Sequence, residues 1–69
     1  MTPTYEFLMT RATECAAQAK LASLDNVRAR ALRSEAAWRQ MAERTRRMEL
    51  EREKARLERA SRQITGQLD

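Results

Sequence analysis

The sequence predicts an all-α chain: an antiparallel helical hairpin whose second helix is long, rich in Arg and Glu, and overhangs the first. Three observations carry this. The single Pro and the single Gly, residues that commonly punctuate a chain, stand near its extremities as Pro3 and Gly66. One interior cluster of turn-forming residues occurs, Ser23-Leu24-Asp25-Asn26. On either side of it apolar residues recur at steps of 3 and 4, the spacing that lines one face of a helix.

Taken in order, Thr2 followed by Pro3 supplies an N-cap and a first helical position, so a first helix is expected over about residues 3–22. Its apolar stripe is Tyr5, Leu8, Ala12, Cys15, Ala19 and Ala22. A tight turn follows at about 23–26, with Ser23 or Asp25 as the side chain that caps the next helix. The second helix, from about residue 26, carries Val27, Ala31, Ser34, Trp38, Met41, Thr45 and Met48. A reversal near residue 24 or 25 sets Val27 against Ala22, Ala31 against Ala19, Ser34 against Cys15, Trp38 against Ala12 and Met41 against Leu8. Large residues then meet small ones, as interdigitated packing requires, and the indole fills the space above Ala12 and Cys15. On this reading Trp38 and Met41 are core residues. Cys15 is a buried small apolar residue rather than a reactive thiol, since only Glu14 adjoins it and nothing there lowers its pKa.

The hairpin therefore occupies residues 1–48 and a charged helical extension, frayed at its end, occupies 49–69. At about 1.5 Å per residue, helices of roughly 20 and 40 residues are about 30 Å and 60 Å long, so the second must outrun the first. Beyond Met48 the stripe is Leu50, Leu57, Ala60 and Ile64, roughly 120° away from the seam through Val27 and Trp38. Glu43 and Glu53 stand where a second large apolar residue per heptad would be needed for a strong coiled coil. Glu49 with Arg52, Glu53 with Arg56 and Glu58 with Arg62 each support the helix by about 0.2–0.5 kcal/mol. Gly66 is the expected stop after Ile64 and Thr65.

Composition bounds the function. The chain has 69 residues, no His and one Cys, which cannot assemble a usual zinc set or a Ser/His or Cys/His relay, so neither an enzyme nor a metal or cofactor site is expected. A chain this short usually adds disulfides, a metal or a partner to its core, and with Cys15 alone only the partner remains. The longest apolar runs are three residues, such as Phe7-Leu8-Met9, too short for a membrane span. The start lacks a basic segment followed by an apolar stretch, and the expectation is a soluble, reduced, cytoplasmic protein. The net charge of +4 is uneven: residues 1–24 balance, while from Asp25 onward twelve Lys or Arg face eight Asp or Glu.

The run from Asn26 to Ala42, with Val27-Arg28, Ser34-Glu35-Ala36-Ala37-Trp38 and Trp38-x-x-Met41-Ala42, follows Tyr5 and Ala12-x-x-Cys15. This arrangement loosely resembles short helical proteins of alphaproteobacteria that have no assigned activity. The resemblance covers residues 5–44 and implies a helical hairpin; the charged stretch after Arg44 departs from it.

The function expected from these features is a non-catalytic protein–protein interaction and oligomerisation module, dimerising as a four-helix bundle and docking onto a further protein. Its candidate interface residues are Phe7 and Leu21 on the outward face of the first helix, Leu32 and Leu50 off the main seam, Met48 at the end of the hairpin, and Leu57 and Ile64 on the extension. The alternative is weak electrostatic binding of nucleic acid through Arg46, Arg52 and Arg56. Arg outnumbers Lys twelve to two, but Arg28, Arg46 and Arg56 share one side of the helix while Arg33, Arg44 and Arg62 lie opposite. No aromatic residues are interleaved for base stacking, so such binding would be non-specific.

Overall fold

The computed structural model, which describes residues 2–68, contains helix α1, Tyr5–Leu21, and helix α2, Asp25–Leu68, folded back on each other through Ala22-Ser23-Leu24. The chain is all-α among the described residues, and its second helix is long, as the spacing requires. The 44 residues of α2 correspond to about 66 Å of helix, which accounts for a molecule measuring 69 × 18 × 15 Å.

Helix α1 begins one residue pair later than expected. Thr4, not Thr2, is the N-cap: its backbone is extended and its Oγ1 accepts a hydrogen bond from the Phe7 N–H at 3.1 Å. Both threonines carry a suitable hydroxyl, but Thr4 sits one turn ahead of Leu8, the first buried residue, so ordering starts where tertiary contact starts. Glu6 in the first turn and Lys20 in the last both complement the helix dipole. The helix ends without a glycine. Ala22 is extended and its N–H reaches back to the Gln18 carbonyl at 3.0 Å.

The turn departs from the expected cap as well. Leu24 precedes α2, and its carbonyl accepts from the Arg28 N–H at 3.0 Å, while Asp25 is already the first helical residue. Neither Ser23 nor Asp25 supplies the side-chain cap. Arg28 organises the turn instead: its Nη2 donates to the Ala22 carbonyl at 2.9 Å and its Nη1 lies 3.7 Å from Asp25 Oδ1. A guanidinium therefore satisfies a carbonyl left orphaned at the end of α1.

The core is narrow and made mostly of alanine: Leu8, Ala12, Cys15 and Ala19 from α1 meet Ala31 and Ala42 from α2. Leu8 is the one large side chain among them. The expected register is right on α1, while on α2 Ala42 takes the place expected for Met41 and Thr45 keeps its own. Met41 is 38% exposed, and Val27 and Met48 are exposed too, whereas Ala42 has no accessible surface. With small residues lining α1 the backbones come close, and a methionine between them would overfill a gap that an alanine fits. Trp38 is not a core residue. It is half-buried on one flank, where the Phe7 ring meets it edge-on at 6.3 Å and the Arg11 guanidinium lies over it at 5.4 Å.

Gly66 does not stop α2. The helix continues through Leu68, and Gly66 lies within it without a positive φ and with open space where a side chain would go. Asp69, the end of the expected frayed segment, lies outside the described residues. The extension from Glu49 is a direct continuation of α2.

Candidate interaction surface

Tyr5, the first residue of α1, meets α2 at Arg46, whose guanidinium stands 5.3 Å from the ring centroid. From there on α2 has no intramolecular helix to pack against. A free helix of this length gains little from propensity alone, so the side chains it presents decide what it can bind.

Leu50, Leu57 and Ile64 are 59%, 54% and 59% exposed. They share one side of α2 with Leu32, itself 48% exposed: Leu32 and Leu50 are separated by eighteen residues, about five full turns, and Leu57 and Ile64 drift from that line by only about 20° and 40°. Because the seam runs through Ala31 and Ala42 rather than Met41 and Met48, this stripe lies about 75° from the seam, not the 120° expected. It adjoins the hairpin groove formed by Ala16, Ala19 and Lys20 of α1 with Arg28, Leu32, Glu35 and Arg39 of α2. Ala16 and Ala19 keep that groove shallow.

The remaining candidate interface residues divide. Leu21 is 86% exposed and lines one depression with Val27 and Arg30 of α2. Met48 is half exposed on the opposite flank from Leu50. Phe7 is not simply outward: its ring partly covers Trp38. The opposite flank also holds a depression lined by Arg11, Cys15, Val27, Ser34 and Trp38. Of the two arginines that line it, Arg11 is already engaged with the half-buried indole and Arg30 is not. The flanking contacts of Phe7, Arg11 and Arg46 escaped sequence reasoning, since they depend on which side of the seam each helix face falls.

The three arginines proposed for nucleic acid do not form a cluster. Arg46 is drawn toward Tyr5, and Arg56 is tied to Glu53 by two hydrogen bonds of 2.6 Å and 3.1 Å. On the helix wheel Arg46 and Arg52 are about 120° apart. Other ion pairs within α2 join Glu35 with Arg39 at 2.8 Å and Glu58 with Arg62 at 4.0 Å. All are surface pairs whose main effect is local helix support.

The Arg56 hydrogen bond, and secondarily its charge, hold the Glu53 carboxyl below its ordinary range; the same pair raises the Arg56 pKa. A depressed carboxyl pKa favours the folded helix at neutral pH, and that contribution is lost as pH falls through the lowered value. Arg56→Ala should move the Glu53 titration midpoint upward, measured by carboxyl carbon NMR. An unchanged midpoint would show that the pair does not persist in solution.

Among the described residues no helix is long and apolar enough to cross a membrane, and no group of three or more His, Cys, Asp or Glu is arranged to hold a metal ion. No known protein family, characterised protein or solved structure matches this chain.

Proposed function

We propose that this chain is a non-catalytic helical interaction module that self-associates and docks onto another protein. One observation carries the reading: half of a 44-residue helix extends beyond its hairpin and presents Leu50, Leu57 and Ile64 along a single face. A narrow alanine core supports it, because a 69-residue chain with one large buried side chain and no disulfide gains most by covering apolar surface with a partner. Sedimentation equilibrium at tens of micromolar tests it, with a dimer or higher species expected. A clean 8.0 kDa monomer would sink the self-association.

The Lys and Arg concentration of α2 favours a second reading, weak electrostatic association with nucleic acid. Eight cations between Arg44 and Arg62 face four glutamates in the same stretch, and they are spread around the helix. Contact with phosphates would weaken by roughly 0.9 logarithmic units per contact for each tenfold rise in salt on duplex DNA. Fluorescence anisotropy with random duplex DNA and single-stranded RNA at physiological ionic strength should show little binding. Micromolar or tighter binding, lost when Arg46, Arg52 and Arg56 become Glu, would make nucleic acid the leading function.

A further inference from the structure

We infer that the partner for the overhang is a second copy of this chain, arranged so that the two α2 helices run antiparallel and each overhang lies along the other copy's hairpin groove. This rests on the self-association proposed above and specifies its geometry. It differs from two hairpins packed side by side as a four-helix bundle, because the overhang itself supplies the contact.

The first argument is that one surface can serve both roles. The groove around Ala16, Ala19 and Leu32, which Lys20, Arg28, Glu35 and Arg39 also line, and the stripe of Leu50, Leu57 and Ile64 occupy the same side of α2, one after the other along its length. A two-fold contact requires a self-complementary patch, and a face that offers a groove at one end and an apolar ridge at the other is self-complementary when reversed.

The second argument is length. Helix α1 accompanies α2 from Asp25 to about Arg46, the residue that Tyr5 at the start of α1 contacts. That leaves residues 47–68 single, equal to the 25–46 that are doubled. Each half is about 33 Å long. A two-fold axis close to residues 44–45 therefore covers each overhang with a hairpin and produces a bundle of three helices along its whole length, with no unpaired end of consequence.

The third is charge. In the register that sets Leu57 opposite Leu32 of the partner subunit, Leu50 lies over the aliphatic stem of the partner's Arg39, and Ile64 reaches the first turn of the partner's α2. Near the axis Glu43 then faces the partner's Arg46, twice by symmetry. Glu43, Arg46, Arg47 and Leu50 line one shallow depression, so the ionic pair borders the apolar contact. A parallel in-register pair would instead oppose Arg46 to the partner's Arg46 and Glu53 to the partner's Glu53. Like charges at both positions disfavour it.

The test uses the full chain with Cys15→Ala, carrying a single spin label at Arg44→Cys or Arg62→Cys, which are eighteen residues apart and share the side of α2 away from the stripe. For an axis near residue 44–45, the antiparallel dimer should give less than about 30 Å between labels at 44 and about 50 Å between labels at 62. A short distance at both positions, in a protein that sedimentation shows to be oligomeric, would overturn the antiparallel arrangement and leave self-association standing. A monomer in sedimentation would overturn both. Charge reversal tests the register: Glu43→Arg and Arg46→Glu should each weaken the dimer about tenfold, and the double exchange should return it to within about threefold of the original affinity. A double exchange as weak as either single change would overturn the Glu43 pairing with the partner's Arg46.

Discussion

Leu8→Ala should leave the hairpin largely unfolded at room temperature. Leu8 is 2% exposed and is the only large aliphatic side chain in a core otherwise built of alanines and Cys15. Truncating a buried leucine costs about 2–5 kcal/mol, the transfer of the lost methyl groups plus the cavity they leave. The whole stability available to a chain of this size is about 3–5 kcal/mol, so the loss is comparable to the total. Urea titration followed by circular dichroism measures it, with Leu21→Ala as the control. Leu21 is exposed, and its truncation should change stability by no more than about 0.5 kcal/mol. A Leu8→Ala protein that unfolds at the original midpoint would show that the α1–α2 seam does not hold the hairpin together.

The combined change Leu50→Glu, Leu57→Glu and Ile64→Glu should abolish self-association at micromolar concentration. If each side chain is covered in the assembly, its burial contributes roughly 1.5–3 kcal/mol, and removing three weakens each contact by at least about a thousandfold. The added carboxylates would also sit where apolar groups meet, which raises the cost further. The helicity of the second half of α2 should fall with the loss of its partner, because a free helix of about twenty residues is marginal in water. Sedimentation and circular dichroism at matched concentrations read both effects. Unchanged sedimentation would locate the interface elsewhere, with Met41 and Met48 on the other flank the next residues to replace.

Much of this architecture is written in local patterns. The steps of 3 and 4, the empty interior as regards Gly and Pro, and the Ser23–Asn26 cluster together determined two helices, one reversal and an overhang, since helical periodicity and chain punctuation depend on residues within one or two turns of each other. The candidate stripe of Leu50, Leu57 and Ile64 was legible for the same reason. What only the tertiary structure decided was how the two helices meet. Met41 and Ala42 flank the line of Trp38 at comparable angles, and periodicity alone cannot choose between them. The close approach of two alanine-lined backbones does choose: it buries Ala42, turns Met41 outward, and moves Trp38 to the flank beneath Arg11 and Phe7. The same selection swings the seam toward the Leu32 side and so brings the overhang's stripe into line with the hairpin groove. Thr4 over Thr2, Arg28 in place of a side-chain cap and helix persisting through Gly66 are likewise choices among locally equivalent options. At the turn and along the seam the choice falls to atoms far apart in sequence, such as Tyr5 and Arg46, because packing and charge act through space and a linear pattern carries no distance between its halves.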